Sequence, residues 1–372
     1  MHFRAIALVK KKIQMNQRRQ STYSSTAPYH RAQSKYAVRH ACKTSRFIRL
    51  LALFASVLLT CGLVLALNFQ GNSGSCEASQ SLTVDDWNLL DSEGFSAGQG
   101  VEPPESVVAR NVFVAEIKTH RAIFERDSTE RIAPASTAKI ATALTALDCL
   151  SLDEEVRVGG EINLIDESSS RAWLAEGDVL TFEQLLYALM LPSGNDAAYT
   201  IAVHAGRAII GNGDASDEVA IKVFMDRVNE KVRELGAANT HLVVPDGFDA
   251  DGQYTTAVDL AILAEACLND PVLAEVVSTY ESVEQWPDGE VATFYNTNQL
   301  IDPQSEYYMP AAVGIKTGST SVAGACLVSA AHIDGETVVC VVMGSDATSR
   351  FQDSIELYEA VPLIKHDAKE GK

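Results

Sequence analysis

No acidic residue occurs in the first 69 positions of this chain, although 12 Lys and Arg do. The rest carries 18 Lys/Arg against 49 Asp/Glu, a net charge of −31. A basic arm and an acidic body belong in different surroundings. The body's charge excludes a general affinity for nucleic acid or other anionic polymers. Metal-ligand spacing is also missing. His120, His204, His241 and His332 form no H-E-x-x-H pattern, and no cysteine pair has zinc spacing. No metal or other cofactor is therefore expected. The body's five cysteines (Cys76, Cys149, Cys267, Cys326 and Cys340) are odd in number and scattered, so they imply no disulfide framework. An Asp334-Gly335 hairpin turn would set Cys340 opposite Ser329 and Cys326 opposite Met343, out of register with each other. Both read as small buried apolar residues.

Charge is absent again from Leu50 to Leu67, eighteen residues of mostly Leu, Val and Ala. That length reaches the lower limit for a membrane-spanning helix, about 17 residues. Arg46 and Arg49 precede it, and positive charge stays cytoplasmic. Residues 1–49 thus read as a basic cytoplasmic arm, and 50–69 as a transmembrane signal-anchor in a bacterial cell membrane. The alternative is a cleavable signal peptide, but no Ala-x-Ala follows the run and the basic region is long. Residues 70–105 are rich in Gly, Ser, Gln and acids, end near Pro103-Pro104, and read as a flexible extracellular spacer.

The body, 106–365 with a tail at 366–372, opens with two β-rich runs around Val107–Ile117 and Ala122–Glu125. Helical spacing follows at Ser136–Leu150, Thr181–Leu191, Ala197–Ala205, Asp217–Leu235 and Thr256–Leu268. Strands are expected at Val291–Tyr295, Ala311–Lys316, Cys326–Ile333 and Thr337–Gly344, then a helix at Arg350–Leu363. Strands early and late with helices between predict an α+β fold, not alternating α/β. An antiparallel sheet would draw its strands from both ends of the domain, flanked by helices and a helical subdomain.

Three short motifs carry the chemistry: Ser136-Thr137-Ala138-Lys139, Ser193-Gly194-Asn195 and Lys316-Thr317-Gly318. Ser136 and Lys139, three apart, share one face of a helix. Serine is a weak nucleophile and needs a base. Lys139 can serve only if burial or a second cation lowers its pKa from about 10.4. Lys316 is the candidate second cation, being the only Lys, Arg, Asp or Glu between Glu306 and Asp334. Ser193 offers a hydroxyl for proton relay and Asn195 an amide for substrate or Lys139. Gly318 lets a ligand approach the backbone closely. Each motif alone has a plain structural reading: an N-cap serine, a Pro-Ser-Gly-Asn turn, an edge-strand lysine. Their order and context together favour catalysis.

With these motifs the chain resembles the serine D-alanyl-D-alanine carboxypeptidases, the low-molecular-mass penicillin-binding proteins. The resemblance runs from about Val107 to Leu363. It includes Pro134–Ile140, Ser193–Ala197, Gly247–Gln253, Thr255–Ala261 and Gly314–Gly318. It implies acyl transfer by Ser136 onto the carbonyl between the last two D-alanines of a peptidoglycan stem peptide. Lys139 would take the proton, and Ser193 would pass one to the leaving D-alanine. The backbone N–H groups of Ser136 and Ser319 would form the oxyanion hole. Lys316, Thr317 and Arg350 would hold the terminal carboxylate, and β-lactams would acylate Ser136.

Thr297 stands where some members carry a carboxylate-binding arginine, which shifts that task toward Arg350 and Lys316. The alternatives are a D,D-endopeptidase acting on crosslinks, a class A-like β-lactamase and a catalytically dead wall-binding module. No Glu-x-x-Leu-Asn run follows Ser193 to supply the lactamase glutamate.

Overall fold

The computed structural model describes residues 94–370. The basic arm, the anchor and the spacer up to residue 93 lie outside the described residues. Residues 94–105, read as spacer, pack onto the body. Phe95 is buried and meets the Phe113 ring edge-on, and Val101 bridges to Phe124. An apolar ring and a strand-like bridge outweigh the polar composition there.

The strands are β1 (Asn111–Glu116), β2 (Arg121–Arg126), β3 (Glu155–Arg157), β4 (Val179–Thr181), β5 (Glu281–Gln285), β6 (Val291–Tyr295), β7 (Ala312–Thr320), β8 (Gly324–Ile333) and β9 (Glu336–Ser345). The helices are α1 (Lys139–Leu147), α2 (Phe182–Met190), α3 (Asn195–Ile210), α4 (Asp217–Glu234), α5 (Ala257–Asn269), α6 (Pro271–Ser278) and α7 (Ser349–Glu370). One antiparallel sheet runs β2-β1-β9-β8-β7, so strands from the two ends of the domain meet at β1 and β9. Two small two-stranded sheets, β3-β4 and the hairpin β5-β6, stand apart from it. This is the expected α+β arrangement.

Both faces of the sheet are covered. Along β9, Val339, Val341 and Met343 enter the core shared with α1 to α5. Val338, Cys340 and Val342 enter the core beneath α7, with Phe351, Leu357, Tyr358 and Val361. Successive side chains of a strand point to opposite faces. A strand buried on both sides therefore reads as a continuous apolar run.

Glu336 pairs with Ile333, so Asp334-Gly335 is the two-residue turn expected, both residues at positive φ. Cys340 faces Ser329. The register shifts between Ala325↔Ser345 and Leu327↔Val342, which sets both Met343 and Gly344 against Cys326 in a bulge. Cys326 and Cys340 belong to opposite cores and stay free.

Several boundaries differ from expectation. The helix expected from Ser136 begins as a 3-10 turn, Ala135–Ala138, and becomes α-helical at Lys139. The strand expected to end at Lys316 continues to Thr320, because Thr317–Thr320 pair with Gly324–Leu327. Helix α3 outruns its expected end and stops at Gly211, whose left-handed φ closes it. Helix α7 continues to Glu370 through part of the expected tail. Helix α2 has the expected capping box, Thr181 with Gln184.

Candidate active site

Ser136 sits in the 3-10 turn between a buried Ala135 and a buried Thr137. Such a turn has three residues per revolution, so positions i and i+3 eclipse. Lys139 Nζ thereby reaches Ser136 Oγ at 2.9 Å. Helix α1 is buried on almost every side, and Lys139 is fully enclosed while Ser136 keeps partial exposure. The serine is open and the lysine is not.

Lys139 Nζ has two further partners, Asn195 Oδ1 at 2.7 Å and the Asp246 carbonyl at 2.8 Å. Both can only accept a hydrogen bond. A neutral amine has two hydrogens and one lone pair. The ammonium form donates to all three partners, whereas in the neutral form Asn195 and Asp246 take the two hydrogens and the lone pair is left for the Ser136 hydroxyl. The amide of Asn195 is oriented in turn, because its Nδ2 donates to Asp246 Oδ2 at 2.6 Å and to Ser169 Oγ at 2.9 Å. Asp196 pins the same end of α3 by accepting the Ala172 and Leu174 N–H groups at 2.9 and 3.1 Å.

Burial lowers the Lys139 pKa to about 8, against the opposing pull of Asp246 and Asp196. Lys316, also fully buried, is held well below its ordinary value by burial and by repulsion from Lys139 and Arg350. Burial and a second cation, Lys316, were both expected to lower the Lys139 pKa. Burial is the largest cause at both lysines. Burial raises the Asp246 carboxyl, and Lys139 offsets part of that rise.

The strand wall carries the remaining residues. Gly318 lies flat against the serine turn, where a Cβ would come within 3.1 Å of Ser136 N and 3.2 Å of Thr137 N. Any side chain would press on the nucleophile's own backbone. Arg350 Nη1 donates to the Gly318 carbonyl at 3.0 Å, placing the guanidinium beside this strand. Among the described residues, Lys316 Nζ donates only to its neighbour's carbonyl, Thr317 O, at 3.0 Å. Thr317 and Thr297 share a hydroxyl hydrogen bond of 2.6 Å, so threonine fills the position noted in the sequence. Ser319 is exposed next to Gly318. Ser193 is buried at positive φ, and its Oγ has no partner among the described residues.

Ser136, Lys139 and Asn195 are thus joined directly, and Gly318 and Arg350 are joined to them through the strand. Asp246 and Ser169 were missed by sequence reasoning. Asp246 lies in Pro245-Asp246-Gly247, which reads as a plain turn.

A family model for D-alanyl-D-alanine carboxypeptidase matches residues 97–347, more than half of the chain. The chain belongs to the D-alanyl-D-alanine carboxypeptidase family of serine peptidases. A D-alanyl-D-alanine carboxypeptidase of Mycobacterium tuberculosis is 33% identical over 261 residues, covering 66% of this chain and 80% of that one. One of Bacillus subtilis is 27% identical over 276 residues, and the match spans 66% of its length. The crystal structure of a Streptomyces DD-transpeptidase is 30% identical and covers 71% of this chain and 100% of its own, with a TM-score of 0.64. In this family member the serine-lysine pair, Asn195 of the Ser-Gly-Asn turn and Gly318 of the Lys-Thr-Gly strand are brought together around Ser136.

Proposed function

We propose that the protein removes the terminal D-alanine from peptidoglycan stem peptides through an acyl-enzyme on Ser136. The observation that carries this reading is the three-way hydrogen bonding of Lys139 Nζ to Ser136, Asn195 and the Asp246 carbonyl. Lys139 takes the Ser136 proton as Oγ attacks the carbonyl between the two D-alanines. The N–H groups of Ser136 and Ser319 receive the developing oxyanion, a contribution commonly worth about 10²–10³ in rate per donor. Ser193 hands a proton to the departing amine. Lys316, Thr317 and Arg350 take the terminal carboxylate. Water then releases the shortened peptide, and β-lactams stop at the acyl-enzyme.

Residues 50–69 anchor this domain outside a bacterial membrane. The eighteen uncharged residues and the basic arm before them support that placement. Protection of residues 1–49, and not of the body, from protease added outside intact cells would agree with it. The reverse pattern would refute it.

The test of the reaction has two parts. D-Alanine release is measured from a pentapeptide ending in D-Ala-D-Ala. Intact masses are then followed with penicillin for wild type and Ser136→Ala. Release by wild type, with one persistent penicillin adduct that Ser136→Ala lacks, is the expected result. Rapid penicillin loss without an adduct would make the protein a β-lactamase. Neither adduct nor loss in a folded protein would leave a wall-binding module.

A further inference from the structure

One loop, residues 245–251, touches all three motif-bearing elements. Toward helix α1, the Pro245 carbonyl accepts from Thr142 Oγ1 at 2.7 Å, and the Asp246 carbonyl accepts from Lys139. Toward α3, the Asp246 carboxylate accepts from Asn195. Gly247 packs on the serine turn, where a Cβ would fall 1.9 Å from the Ala135 carbonyl oxygen, and its φ is +76°. No other residue fits there without moving the turn. Toward strand β7, Asp249 Oδ1 accepts from Thr320 Oγ1 at 2.7 Å, and its Oδ2 accepts from Ser321 Oγ at 3.4 Å.

The loop also holds its own shape. Phe248 N donates back to Asp246 Oδ1 at 3.0 Å. Gln253 closes its base, accepting from Val243 and Val244 N–H groups at 3.2 and 3.4 Å and donating to the Phe248 carbonyl at 3.0 Å. A loop tied by these bonds to its base and to its neighbours transmits position instead of yielding to it.

The two ends of this loop grip the two sides of the oxyanion hole. One end grips the turn that carries Ser136. The other grips Thr320, next to Ser319. We propose that residues 245–251 clamp these two donors at their working separation, and that Asp249 is the latch, a positioning residue acting through Thr320. This rests on the acyl-enzyme reading above. Oxyanion donors must meet the tetrahedral oxygen within a few tenths of an ångström, so a loosened strand end slows acylation without weakening the first encounter.

The experiment uses the full chain and resolves acylation by penicillin into its binding constant and its first-order step. Asp249→Ala and Thr320→Val are each expected to slow the first-order step about tenfold. The binding constant should stay within about twofold. Because both variants open the same latch, the double variant should be no slower than the slower single. Asp249→Asn keeps an oxygen acceptor for the Thr320 hydroxyl and should restore most of the rate, as should Thr320→Ser. If Asp249→Ala does not fold, the strand-side pair Thr320→Val and Thr320→Ser carries the same test. Wild-type rates in the single variants, losses that multiply in the double, or a failure of Asp249→Asn to recover would overturn the clamp while leaving the Ser136 adduct intact. Absence of any adduct on wild type would remove the acyl-enzyme reading, and the clamp with it.

Discussion

On the helical wall of the cleft, Lys139 Nζ makes three hydrogen bonds and the Asn195 amide is held at both ends. On the strand wall, Lys316 Nζ reaches only an adjacent carbonyl, and Arg350 Nε has no partner among the described residues. Both walls bury cations, but the strand wall gives Lys316 and Arg350 only one backbone carbonyl each among the described residues, where Lys139 has three partners. A buried polar group left unpaired costs about 1–3 kcal/mol. That cost is recovered when a ligand brings the missing acceptors, and a peptide carboxylate has two oxygens for the purpose. On the function proposed above, the helical wall serves a proton transfer that needs fixed geometry, and the strand wall receives an anion.

The largest effects should come from breaking the finished wall. Lys139→Arg keeps a cation but cannot act as a base near neutral pH. It should fold and lose penicillin acylation by about 10²–10⁴-fold in stopped-flow measurements. Normal turnover by this variant would contradict the lysine-base assignment. On the open wall, Arg350→Ala should weaken substrates with a free terminal carboxylate about 10–100-fold, as expected for a charged hydrogen bond. Amidated analogues should change far less in the same steady-state assay, and equal losses would refute the carboxylate role.

Ser193 is the exception on the helical side, a buried hydroxyl without a partner among the described residues. Ser193→Ala should therefore raise the melting temperature, by about 2–4 °C for each kcal/mol of relieved desolvation, while slowing D-alanine release. A fall in melting temperature would show that the hydroxyl is already satisfied. The smallest change is expected at Thr297→Val, which removes the hydroxyl bond to Thr317. A neutral hydrogen bond of about 1 kcal/mol predicts a several-fold rise in KM with kcat unchanged.

Much of this comparison was legible in the sequence because each motif is local. Ser136 and Lys139 are one turn apart, and the isolation of Lys316 in an uncharged stretch marks it without any structure. The α+β class followed from strands at both ends of the body. What stayed hidden acts over distance or through the backbone. Asp246 reaches Lys139 across 107 positions by its carbonyl, which no side-chain pattern encodes. The 3-10 turn at Ser136 was invisible because i,i+3 spacing suits both kinds of helix. Strand β7 continues through Gly318-Ser319-Thr320 because β8 pairs with it, although those residues alone suggest a loop. Helix α6 was overlooked, yet Asp270 followed by Pro271 is a cap and a first-turn proline. The β3-β4 pair has only three residues per strand, too few to show a period.

The most direct test of the account is the pH dependence of Ser136 acylation by penicillin. Lys139 acts as a base only when neutral, and burial puts its pKa at about 8. The first-order acylation rate should therefore rise with pH along a limb centred near that value, tenfold per unit on its acid side. A rate that stays flat from about pH 5 to 9 would mean that Lys139 is not the group that takes the proton.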